Sequence, residues 1–87
     1  MFSYILNMNL EEIIEMFPDE EFLKADGFDS AIIGVEPNTM KLVYSRDKMV
    51  GILIEDEKMD EIDAIEYLEY NTWNAHVGDK TPIYIEI

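Results

Sequence analysis

The chain has no cysteine, one histidine (His76), and only six Lys and Arg against twenty Asp and Glu in 87 residues. Without cysteine there is no disulfide framework and no thiolate metal site. With no second histidine a zinc site lacks its usual ligands, and His76 reads as a polar residue near a helix end. The shortage of cations excludes more. Nucleic acids and anionic membranes are bound through Lys and Arg that neutralise phosphate, and a formal charge of −14 repels both. No apolar run approaches the roughly 18 residues that a bilayer span needs. Met1-Phe-Ser-Tyr-Ile-Leu-Asn7 lacks the basic and long apolar regions of a secretory leader, so a soluble cytoplasmic protein is expected. Gly27, Gly34, Gly51 and Gly78 are scattered and form no phosphate-cradling loop. Ser3, Ser30 and Ser45 stand in no Gly-x-Ser-x-Gly context.

What is present is apolar material and carboxylate. Hydrophobic residues make up 48% of the chain, with five Tyr, four Phe and one Trp, enough for the small core of one domain over 1–87. An acidic disordered tail would be poor in aromatics.

Phe2, Tyr4 and Leu6 alternate with Ser3 and Asn7 and predict a short strand within 1–8. Asn9 is an N-cap with Glu12 as its capping-box partner, and Leu10, Ile13, Ile14 and Phe17 follow helical spacing. Pro18 ends that helix and opens a short turn over Asp19–Ala25, with Phe22 and Leu23 as its apolar contacts and Gly27 as its stop. Ala31–Val35 and Lys41–Tyr44 flank the turn Glu36-Pro-Asn-Thr39 and predict a β-hairpin. Residues 46–56 suit a third strand or a helix. Ser45 as N-cap, Tyr44 poised to staple onto Met49, and a polar side made of Asp47, Lys48, Gly51 and Glu55 favour helix. A further helix starts at Asp60, boxed with Asp63, and runs to about Asn74 before Gly78; Pro82–Ile87 is a closing strand. The expected fold is α+β: a β-hairpin and a C-terminal strand in a mostly antiparallel sheet, with three to four helices packed on it.

Asp26-Gly-Phe-Asp-Ser-Ala-Ile-Ile-Gly-Val35, Val43-Tyr-Ser45 with Asp47-Lys48, Ala64-Ile-Glu-Tyr-Leu-Glu-Tyr-Asn71 and Ala75-His-Val-Gly-Asp-Lys-Thr-Pro82 carry a likeness. Over residues 26–82 the chain resembles a family of small bacteriophage-encoded proteins of unassigned function. The resemblance implies a strand pair, two helices and a closing strand in a family-like core over 26–87, with residues 1–25 as an N-terminal helical addition. It also implies a phage setting, hence the cytoplasm of an infected host cell, and no particular activity.

Carboxylate spacings suggest chemistry that their context does not support. Asp56-x-Lys58-x-Asp60 lacks the mid-loop glycine of an EF-hand and puts Lys58 at a ligand position. Glu11, Glu12 and Glu15, with Glu57 and Asp60, look like the Mg²⁺-holding motifs of all-α nucleoside-triphosphate pyrophosphohydrolases, but too much chain and a hairpin separate them. No enzyme and no cofactor are expected. A helix-turn-helix reading of 46–74 fails because Asp60, Glu61, Asp63, Glu66 and Glu69 face no basic residue on the second helix.

Two acidic clusters remain, Glu11 to Asp29 and Glu55 to Glu69, each holding one lysine. A wheel over 60–75 puts Ala64, Ile65, Tyr67, Leu68, Asn71 and Ala75 on the core side and Ile62, Glu66, Glu69, Tyr70 and Trp73 opposite. Four helical residues advance about 6 Å, close to two phosphates at about 3.4 Å each on a DNA strand. Two such helices side by side would show carboxylates at phosphate-like intervals. By analogy with phage decoys of restriction and CRISPR-type defence, the expectation is an inhibitor of a basic, nucleic-acid-binding host protein. Glu61, Asp63, Glu66 and Glu69 supply charge, and Tyr70 and Trp73 are anchors. The chain is then a monomer or a weak homo-oligomer. The alternative for the stripe is that Ile62, Tyr70 and Trp73 tuck under the N-terminal segment, with the acids at the rim. The rival functions are an oligomeric module that sets the aromatic stripe against its own copy, with acidity serving solubility, and the Mg²⁺-dependent pyrophosphohydrolase.

Overall fold

A computed structural model describes residues 3–87; Met1 and Phe2, the latter part of the expected first strand, lie outside the described residues. Four strands form one sheet in the order β1 (Ile5–Leu6), β2 (Ile32–Glu36), β3 (Lys41–Ser45), β4 (Ile83–Ile85). The first two pairings are antiparallel, and β4 lies parallel to β3. Three α-helices complete an α+β domain: α1 (Leu10–Met16), α2 (Arg46–Asp56) and α3 (Glu61–Leu68). Among the described residues no helix is long and apolar enough to cross a membrane.

Each helix begins where its capping residue stands. Asn9 Oδ1 accepts from the Glu12 N–H at 2.9 Å, and the Glu12 carboxylate accepts from the Asn9 N–H at 3.0 Å. Ser45 Oγ accepts from the Lys48 N–H at 3.1 Å and donates to the Ile87 carbonyl, which ties the C-terminus to the start of α2. Asp60 Oδ1 accepts from the Asp63 N–H at 2.9 Å. The ambiguous segment 46–56 is thus helical. The segment after Pro18 differs from expectation: past a turn at Pro18–Asp19 it runs irregularly to Ala25, with Phe22 half-buried against the core and Leu23 exposed.

A bulge in β2 decides which strand residues reach the core. Ile32 faces Tyr44 and Gly34 faces Val43, so Ile33 is an extra residue on β2. Ile32 and Val35, three apart, therefore share the core face with Leu42 and Tyr44, where strict alternation would set them on opposite faces. Ile13 of α1, Met49 and Leu53 of α2, and Ala64 and Leu68 of α3 complete that core. The N-terminal region is part of it, because α1 packs on β2 and β1 pairs with it.

The hairpin turn is organised by a buried acid. Glu36 accepts from the Thr39 hydroxyl and the Asn38 N–H, both at 2.6 Å, and from the Thr39 N–H at 3.1 Å. The Thr39 hydroxyl most of all holds the Glu36 carboxyl below its ordinary value, against the opposing effect of burial. The stabilisation this gives is complete above the unfolded-state value and is lost as pH falls through the lowered folded one.

Tyr44 is fully buried, and its hydroxyl accepts from the Ala25 N–H at 2.8 Å. This bond fastens the irregular 19–25 segment to the sheet. Burial pushes the phenol up from 10.0 to about 12, so ionisation opposes folding once pH passes 10, and stability falls between those values. Tyr44→Phe leaves the Ala25 N–H without its acceptor. We expect it to cost about 1–2 kcal/mol in urea unfolding; an unchanged midpoint would show that this bond fastens nothing.

Candidate functional site

Every Asp and Glu except Glu36 is exposed. The cations are not shared evenly among them. Lys24 pairs with Asp29 at 3.4 Å, Lys80 with Glu20 at 3.2 Å, and Arg46 with Glu86 at 3.7 Å. Among the described residues none of the acids from Glu55 to Glu69 takes part in an ion pair. Glu11, Glu12 and Glu15 of α1 are likewise unpaired among the described residues, but Glu55 to Glu69 is the densest such run, with eight acids and Lys58 as its one cation.

Their placement costs stability in two ways. Glu55, Asp56 and Glu57 sit at the negative end of the α2 dipole, where cations are preferred. Asp63, Glu66 and Glu69 follow at intervals of three along α3, where like charges repel. Asp60 at the N-cap and Glu61 and Asp63 in the first turn of α3 sit favourably with its dipole. Lys58 turns the chain between the two helices at a left-handed φ of 59°, and the Met59 N–H closes onto the Leu53 carbonyl at 3.3 Å.

The expected single helix over 60–74 is a correction. α3 ends at Leu68 and a π-helical turn covers Glu69–Trp73. Its carbonyls find side-chain donors: Asn71 Nδ2 donates to the Tyr67 carbonyl and Asn74 Nδ2 to that of Glu69, both at 3.0 Å. A wider turn rotates the chain less per residue, so positions after Leu68 lose phase with an α-helical wheel. Ala64 and Leu68 reach the core as expected, but Tyr67, Asn71 and Ala75 stay exposed.

Trp73 is the corresponding correction on the opposite face. Expected as a surface anchor, it is half-buried against the core. Its indole N–H donates to Met49 Sδ at 3.4 Å, and the Arg46 guanidinium lies 4.7 Å from its ring centre. Tyr70, by contrast, is 93% exposed and Ile62 69% exposed. Glu61, Asp63, Glu66 and Glu69 are exposed as expected, so α3 and the π-helical turn that follows it present four carboxylates beside the exposed Ile62 and Tyr70.

The two acidic regions are not neighbouring helices. α3 packs on α2, while α1 packs on β2, and α1 and α3 are not each other's main contacts. A paired-helix copy of a phosphate ladder is therefore not built here, and the α2–α3 region stands as a surface of its own. Glu11, Glu12 and Glu15 lie on α1, far in the chain from Glu57 and Asp60 at the α2–α3 junction. Among the described residues no three His, Asp or Glu side chains converge as a metal site would require.

Beside Tyr67 a groove of about 420 Å³ opens between the 26–28 turn, the end of α2 and α3. No local motif announces it, because its walls come from three separate segments. Comparison of the chain with protein-family models, curated proteins and solved structures finds no match.

Proposed function

We propose that this protein is a non-enzymatic inhibitor that binds a basic, nucleic-acid-binding host protein through the outer surface of α3. The observation that carries the reading is the set Glu61, Asp63, Glu66 and Glu69, exposed and, among the described residues, outside any ion pair, around an almost fully exposed Tyr70. Of these, Glu66 and Glu69 lie at the negative end of the α3 dipole, and Asp63, Glu66 and Glu69 stand three apart, so their repulsion lowers the stability of the free domain. A cationic partner relieves that repulsion on binding, so the strain becomes part of the affinity. The phage setting implied by the sequence resemblance supports a target in host nucleic-acid defence, such as restriction or CRISPR-type machinery. The occupied surface of such a target would be its nucleic-acid groove.

The test is capture from host lysate at low salt, with wild type compared with Glu66→Lys/Glu69→Lys. Two reversals add four positive units to −14 and leave the chain strongly acidic. A loss of capture therefore reports on this surface rather than on total charge. The expected result is at least a tenfold loss of a basic protein whose nucleic-acid binding the wild type blocks. Equal capture and equal inhibition by the variant would overturn the assignment.

A further inference from the structure

The groove beside Tyr67 lies on a different flank of α3 from Glu66 and Tyr70. Its floor is apolar, made by Phe28 of the 26–28 turn, Ile52 of α2 and Met59 of the α2–α3 junction. Tyr67 is 44% exposed and forms one wall, with a ring face available to a ligand. The charged residues that line it are all acidic: Asp26 from the 26–28 turn, with Asp56 and Glu57 from the end of α2. Asp63, one helical turn before Tyr67, extends the same flank. A second basin of about 270 Å³ continues beyond Tyr67 and shares Asp26, Phe28 and Tyr67 with the first; the one cation that lines it, Lys24, is paired with Asp29. The groove therefore has length as well as depth.

We propose that this groove receives an extended basic segment of the partner and clamps one arginine or lysine within an apolar neighbour sequence. Such a side chain has an aliphatic stem and a cationic head. The stem lies on Phe28 and Met59, the head reaches the Asp26, Asp56 and Glu57 carboxylates, and the Tyr67 ring stacks on an arginine plane. A neutral apolar ligand would leave three rim carboxylates facing it unpaired. An acidic or nucleic-acid ligand would meet like charge. Charge complementarity therefore selects the occupant. The inference rests on the proposed function for the basic character of the partner, and adds that recognition includes a shaped pocket besides a charged face.

The probes are two acetylated, amidated peptides, (Arg-Leu)3 and (Arg-Gly)3, titrated at low salt and followed by calorimetry and by backbone amide shifts. The wild type should bind (Arg-Leu)3 about tenfold tighter than (Arg-Gly)3, because only leucine adds apolar burial. The shifts should concentrate on Gly27, Phe28, Met59 and Tyr67. Tyr67→Ala should bring the ratio of the two affinities close to one. Asp56→Asn/Glu57→Gln, at exposed positions that folding does not need, should weaken both peptides severalfold. Glu66→Lys/Glu69→Lys should leave the ratio as it is. A wild-type ratio near one, or shifts spread alike over α1 and α3, overturns the groove. If capture from lysate still depends on Glu66 and Glu69 in that case, the α3 reading stands without it; if the Glu66→Lys/Glu69→Lys variant is captured as well as the wild type, both fail.

Discussion

Gly34→Ala is expected to destabilise the domain by about 3 kcal/mol, the upper end of what overpacking typically costs. A Cβ on Gly34 would lie 2.2 Å from the Ile5 carbonyl oxygen and 3.0 Å from a Leu6 methyl. The first of these atoms is backbone and cannot swing aside. β1 must therefore move off β2, which breaks the Ile5–Val35 and Leu6–Gly34 pairing and the Met8 N–H bond to the Ile33 carbonyl at 3.1 Å. For a domain of this size each kcal/mol lowers Tm by about 4–8 °C, so the shift should exceed roughly 12 °C. Gly51→Ala is the internal comparison. It lies inside α2 with open space around its Cβ, and should stabilise by about 0.5–1 kcal/mol through helix propensity. Thermal melts of both, with amide exchange at Met8, check the pair. Equal Tm values would refute the close approach of β1.

That contrast shows where the fold was legible in the sequence. Asn9, Ser45 and Asp60 announce helix starts through side chains that bond the backbone two or three residues on, and all three act as caps. Those interactions are local, so spacing alone reveals them. The role of Gly34 is not local: it exists because a strand from residues 5–6 approaches its backbone, which no window around residue 34 contains. The same holds for the bulge at Ile33 and for the parallel docking of β4 on β3. Glu36 counted as one more turn residue, whereas the folded chain buries it as the acceptor that shapes the turn. On the candidate site, the exposed carboxylates of α3 follow from composition and capping. The inward turn of Trp73 does not. Asn71 and Asn74 are poor helix formers whose amides can bond nearby carbonyls, and that pair was the one available hint that the α-helical phase would fail after Leu68.

The second large effect concerns rate. Association between this chain and the proposed basic partner is expected to slow about 100-fold to 1,000-fold when salt is raised from low to high. Steered encounters of opposite charge reach about 10⁸–10⁹ M⁻¹s⁻¹, against about 10⁵–10⁶ without steering. With −14 on the chain and, among the described residues, no ion pair on the acids between Glu55 and Glu69, little internal compensation weakens that steering. Glu66→Lys/Glu69→Lys should lower the association rate at low salt and flatten its salt dependence, while moving dissociation less. Tyr70→Ala should do the reverse. Removing a ring that is 93% exposed in the free protein leaves the long-range field intact, but takes away apolar contact made only in the complex. Dissociation should then quicken about 30-fold, the equivalent of a single hot-spot residue. Stopped-flow measurements over a salt series separate the two. If the charge reversal acted only on dissociation, or Tyr70→Ala only on association, the carboxylates would not be the long-range element of this surface, nor Tyr70 its anchor.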